Sequence, residues 1–336
     1  MFTRRRFVQS IAVGGAAGMS LPLLGRAASA ATAITVAESE GHGWTVVYVA
    51  DAAGLWAPNG LDVEVAKFTA GRLALDAVLT ESANFCTTTQ SPTLLAAMRG
   101  LEPRIVADFS RSSREMLVAA NTDAGVTAPA DLKGRKIATR IGTSGHFFLS
   151  QWLSLHGLTL ADVEVVNMAG PDMVTAVVRG DVAAFAWDWL SAVAAQEQAG
   201  EKIVVLDREG IENIWAYHLI FVANRRTVEE QPEVVEQAVR TLFDAEDYIA
   251  ANPAQTLAHV AARTATSEED TQIGIDLLDN GVKLDDSLVD VMVAEAQWAI
   301  AQGIAQPYAG DLRELFRGVI YPDAMMKVRP DRVTLT

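Results

Sequence analysis

Five short runs of this chain combine residue types that can hold a small molecule. Trp187-Asp188-Trp189 sets a carboxylate between two indoles. That combination suits an ammonium or a heterocyclic N–H donor, because a ring face favours positive charge while the carboxylate accepts the hydrogen bond. It also reads as one core tryptophan plus an Asp188 that caps the next helix, with Trp187 the better ligand candidate. Thr143-Ser144-Gly145-His146 opens a helix. There, exposed N–H groups and the helix dipole can hold a sulfonate or carboxylate, each contact worth about 0.3 to 1 kcal/mol. Arg140, just upstream, either adds a counter-charge or is a surface arginine. Thr88, Gln90 and Ser91 crowd a second helix start ahead of Pro92, where one group caps in any case and only the excess points to a ligand. Glu40, His42 and Trp44 are spaced by Gly41 and Gly43, which allow close backbone approach; the alternative is an ordinary turn with Trp44 in the core. In Trp215-Ala216-Tyr217-His218 either Trp215 or Tyr217 can wall a cleft, and a lone His218 reads as structural.

Equipment for catalysis is missing from these runs. The five histidines show no metal-ligand spacing, and the chain has no phosphate-cradling Gly-Lys-Ser loop and no nucleophile elbow. Cys86 is the sole cysteine, which excludes an intrachain disulfide; within an apolar run it reads as a small packed residue. The expectation is a protein without catalytic residues, metal or cofactor. Lys and Arg number 27 against 42 acids, a formal charge of −15. Nucleic acid and anionic bilayers are therefore excluded as bulk electrostatic partners, although a local anion pocket is not.

The elements that must position these residues follow from hydrophobic periodicity. Short β-branched runs alternate with amphipathic stretches from Ile34 to Val222, the pattern of an α/β fold with parallel sheet. Phe148, Trp152 and Leu155 share a helical face that Gly157 ends, and Pro171 and Gly180 frame another helix. After Val222 the spacing predicts that long helical stretches dominate, Val234 to Ala251, Pro253 to Thr264 and Leu288 to Gln302. The polar Asn121–Pro129 passage marks a boundary between two lobes. At the other end, residues 1–30 place a basic cluster before a short Gly/Ala-rich apolar stretch and then Ala28-Ser29-Ala30, the order of an export signal and its processing site. Thr3-Arg4-Arg5-Arg6-Phe7-Val8-Gln9 resembles the twin-arginine consensus, which implies export of a folded chain to the periplasm by the twin-arginine translocase and cleavage by signal peptidase. Removing that leader, with its four arginines and no acid, takes the formal charge from −15 to −19.

A wider resemblance rests on several motifs in order. Ala53-Gly54-Leu55-Trp56, closing on Gly60-Leu61-Asp62-Val63, is similar to a segment of the substrate-binding proteins for nitrate, taurine, alkanesulfonates and thiamine precursors, the NMT1-like family. Asp131-Leu132-Lys133-Gly134-Arg135-Lys136-Ile137 and Arg179-Gly180-Asp181-Val182 resemble two further motifs of that family. The resemblance implies an α/β, two-lobed type II periplasmic-binding-protein fold with the ligand cleft between the lobes. Residues 31–120 would begin lobe 1, 121–214 form lobe 2, and 215–336 return to lobe 1. It also implies that the five runs face the cleft, and delivery of a small organic anion, taurine or an alkanesulfonate foremost, to an ABC permease in the inner membrane. A pyrimidine receptor, a sensor subunit and a desulfinase-like enzyme on the same scaffold are the alternatives; the last would need a nucleophilic cysteine that the first loop lacks.

Overall fold

The computed structural model describes residues 31–213 and 215–336. The twin-arginine segment and its processing site lie outside the described residues.

Twelve strands among the described residues form two sheets. They are β1 (Thr32–Ser39), β2 (Leu61–Phe68), β3 (Phe85–Thr89), β4 (Arg104–Ser112), β5 (Met116–Asn121), β6 (Lys136–Thr139), β7 (Glu164–Asn167), β8 (Ala184–Asp188), β9 (Ile203–Val205), β10 (Tyr217–Ala223), β11 (Asp279–Asp285) and β12 (Val333–Thr334). The seven-stranded sheet runs β12-β11-β4-β10-β3-β1-β2 and the five-stranded sheet β7-β6-β8-β5-β9. Helices α1 (Thr45–Ala52), α2 (Gly71–Leu79) and α3 (Gln90–Met98) follow the first three strands, while α4 (Ser144–Leu155), α5 (Gly170–Arg179) and α6 (Trp189–Ala199) follow β6, β7 and β8. The remaining chain supplies α7 (Arg225–Glu230), α8 (Pro232–Ala251), α9 (Pro253–Thr264), α10 (Glu268–Asp276), α11 (Asp286–Ala301), α12 (Leu312–Val319) and α13 (Asp323–Val328).

The sheets are mixed, not wholly parallel as the alternating pattern suggests. β1 pairs in parallel with β2 and β3, but β10 runs antiparallel to β3 and β4, and β5 antiparallel to β8 and β9. Direction explains the difference. β4 runs with β3, so it leaves the first sheet at the edge where the parallel strands end and passes straight into β5, which must run back into the second sheet. β10 makes the return passage. The crossing therefore falls at Ser113–Glu115, ahead of the polar Asn121–Pro129 passage, and β5 bonds within the five-stranded sheet. Asn121 instead caps a turn beyond that strand, accepting from the Asp123 N–H at 2.8 Å.

Long helices do dominate after Val222, and β11 is a strand among them that the periodicity does not predict. Its sequence, Asp-Asn-Gly-Val-Lys-Leu-Asp, has no β-branched run; only Val282 and Leu284 alternate inward. Pairing with β4 and the Glu246 carboxylate, which accepts the Val282 N–H at 2.8 Å, hold it in the sheet. The glycine stops behave as expected, with Gly157 at φ 72 and Gly180 at φ 78. Phe148 and Trp152 are fully buried, whereas Leu155, in the last helical position, is exposed. Among the described residues no helix is long and apolar enough to cross a membrane.

Candidate functional site

The ends of β1, β2, β3 and β8, with the helices that follow β2, β3 and β6, surround a cavity. The turn after β1 contributes Glu40, Gly41, Gly43 and Trp44. Gly41 sits at φ 129, where a side chain is strained, and a Cβ on Gly43 would lie 2.3 Å from Leu219 Cδ2, so this close approach needs glycine at both positions. Trp44 is held by its Nε1–H, which donates to the Glu40 carbonyl at 2.9 Å.

Three helix N-termini open on the same space: Gly71 and Arg72 from α2, Thr89 and Pro92 at α3, and Thr143, Ser144 and Gly145 at α4. None of the three carries a side-chain cap. First-turn N–H groups have no intrahelical acceptor, so these ends present donors and positive dipole to the cavity. Trp187 and Tyr217 supply aromatic walls. The Trp187 ring lies against α4, 2.6 Å from the point where a Cβ on Gly145 would stand.

Carboxylates also line the cavity. Glu115, in the crossing between β4 and β5, is only 3% exposed, lines the cavity and receives the Gly43 backbone N–H. Burial, and then the charge of Asp188, push its carboxyl up to about 8. Asp188 also lines the cavity, and burial raises it too. It accepts the Ser191 N–H at 2.8 Å as the N-cap of α6, so capping and lining are both true of it.

The structure brings Glu40, Trp44, Thr143, Ser144, Trp187, Asp188 and Tyr217 together around the cavity and puts the other candidates elsewhere. His42 packs on Gly274 with Nε2 3.3 Å from Thr266 Oγ1, and burial lowers its pKa to about 4. His146 is buried edge-on to Trp298 and is likewise lowered to about 4. Trp215 stacks behind Tyr217 at 5.1 Å, one layer from the cavity. Thr88 is buried against α2. Gln90 donates to Glu295 and accepts the His218 N–H, both at 3.0 Å, and Ser91 meets Ser144. Arg140 lines a separate open depression beside Asn167 and Asp172. His218 is structural: its Nδ1 lies 2.6 Å from Asp108, buried between β4 and β10.

Sequence reasoning missed Glu115, Arg72 and Gly71. Thr69-Ala70-Gly71-Arg72 follows a strand and opens a helix, the same signal that marked Thr143-Ser144-Gly145. A lone acid in a crossing gives no such signal. Cys86 is fully buried in β3 with its thiol pushed well up by burial, so it offers the cavity no nucleophile. Among the described residues no group of three or more His, Cys, Asp or Glu could hold a metal ion.

Comparison with known proteins agrees with this architecture. The family model described as NMT1/THI5 like matches residues 42–256. A putative binding protein of Brucella abortus is 29% identical over 216 residues, 64% of this chain; the match spans 66% of that protein's length, just under two thirds. The taurine-binding periplasmic protein of Escherichia coli is 29% identical over 197 residues, 58% of this chain and 60% of its own. In structure, the alkanesulfonate-binding protein SsuA of Xanthomonas axonopodis pv. citri, bound to MOPS, superposes with a TM-score of 0.74 at 19% identity, covering 86% of this chain and 98% of its own. That likeness establishes the two-lobed periplasmic-binding-protein fold with its cleft between the lobes. With the family model spanning well over half of it, the chain belongs to the NMT1/THI5-like family.

Proposed function

We propose that the protein is an extracytoplasmic solute receptor that closes its two lobes on a small organic ligand and passes it, unreacted, to an ABC importer. The lobes follow the two sheets, and the export route is the twin-arginine pathway. The observation that carries this reading is the convergence of three uncapped helix N-termini on one aromatic-walled cavity between the sheets. Such donors suit the anionic end of a sulfonate or carboxylate, and Trp44, Trp187 and Tyr217 suit the organic remainder. Bare nitrate would leave those walls unused. The taurine-binding and sulfonate-binding relatives support the same ligand class.

A thermal-shift panel of sulfonates, aromatic acids, pyrimidines and quaternary amines tests the proposal. The right ligand, at about 100 to 1,000 times its Kd, stabilises the protein by about 3 to 4 kcal/mol. Absence of any shift, together with turnover of a sulfinate, would replace the receptor with an enzyme.

A further inference from the structure

The cavity holds a feature that an anion receptor does not need. Glu115 is 97% removed from solvent, yet no lysine or arginine among the described residues forms an ion pair with it or with Asp188. The one basic residue lining the cavity, Arg72, is exposed and pairs with neither. Two buried acids that share a cavity without a cation favour their protonated forms, so a ligand ammonium entering between them lets them ionise and supplies the missing charge. Gly41 brings the backbone between the same groups: a Cβ there would stand 3.5 Å from Trp44 Nε1 and 3.9 Å from Asp188 Oδ2. The indoles of Trp44 and Trp187 border the same region, and their faces favour a cation.

We propose that Glu115 and Asp188 form an ammonium subsite, so that the ligand is a zwitterion: its anionic end lies on the helix N-termini and its protonated amine between the two carboxylates. This rests on the receptor reading and narrows it from organic anions to amino-substituted ones. A plain alkanesulfonate leaves the carboxylates unpaired. An aminoalkanesulfonate fills both ends.

Calorimetric titration of the purified protein with matched pairs tests the subsite: aminoethanesulfonate against hydroxyethanesulfonate, aminopropanesulfonate against propanesulfonate, and a short amino acid against its hydroxy acid. The amine of the binding pair is expected to bind tighter by about 10- to 100-fold, the scale of a hydrogen bond to a charged partner. Glu115→Gln and Asp188→Asn, the latter keeping an N-capping side chain, should erase that preference while the hydroxyl member still binds. Equal binding of both members by the wild type overturns the ammonium subsite and leaves the receptor standing. Failure of every member of every pair to bind overturns both. Because the preference is read on the wild type, a variant that fails to fold does not shield the proposal.

Discussion

Ser91 Oγ lies 2.8 Å from Ser144 Oγ, which in turn donates to Thr89 Oγ1 at 2.8 Å. Ser91 belongs to α3, on the seven-stranded sheet, and Ser144 to the first turn of α4, on the five-stranded sheet, so this hydroxyl cluster joins the two halves of the molecule beside the cavity. Trp298 on α11 adds a second link, its Nε1–H donating to Ser150 on α4 at 2.9 Å.

Ser144→Ala removes both hydroxyl contacts at the α3–α4 junction. Each is worth about 0.5 to 1.5 kcal/mol net. The variant should lose about 1 to 3 kcal/mol of stability in urea melts and show a larger radius of gyration without ligand in X-ray scattering. An unchanged radius and an unchanged melt would mean that the cluster does not hold the lobes together.

Gly145→Ala sets helix propensity against the cavity wall. Alanine favours a helix over glycine by about 1 kcal/mol. Its Cβ, however, would lie 2.6 Å from Trp187 Cε3, so the ring must move. The variant should fold normally and bind ligand at least about tenfold more weakly, as expected for loss of an aromatic contact of about 1.4 kcal/mol. Full affinity would remove Trp187 from the binding surface.

Stability should depend on pH with two opposed contributions. Glu115 and Glu295 are raised from 4.5 to about 8 and about 7, chiefly by burial, so the folded state holds more protons than the unfolded state between those values. Their contribution is intact below pH 4.5 and is lost as pH rises through the folded values. His42 and His146, lowered by burial to about 4 from 6.5, contribute stability that is intact above 6.5 and is lost as pH falls through about 4. Glu295→Gln should therefore flatten the fall in melting temperature between pH 4.5 and about 7 and leave the acid limb alone. An unaltered slope would show that Glu295 ionises freely.

Cys86 should resist labelling. Fully buried in β3 with a raised pKa, it is expected to react with a maleimide only in denaturant. Fast stoichiometric labelling of the native protein would reopen the desulfinase alternative.

What was legible in the sequence was local. Strand ends followed by Gly, Ser and Thr at helix starts pointed to the turn after β1, to Thr143-Ser144-Gly145 and to Trp187-Asp188, because strand-to-helix turns depend on nearby residues. Strand direction was not legible: β5 and β10 reverse because they carry the chain between sheets, a property of the path. Trp215 and Tyr217 are two residues apart in one short run, and only packing decides that Tyr217 lines the cavity while Trp215 backs it. His42 and His146 looked polar and available, but tertiary contacts with Gly274 and Trp298 bury them. Glu115 was invisible because its role depends on what the fold places opposite it.

The central claim, a cavity between two lobes that holds a small ligand without transforming it, is tested most directly by equilibrium dialysis. The panel compound giving the largest thermal shift is dialysed against the wild type and Trp187→Ala and then recovered. The account predicts one saturable site on the wild type, binding weakened at least about tenfold in the variant, and ligand recovered unchanged. Equal binding by the variant, or a chemically altered ligand, would contradict it.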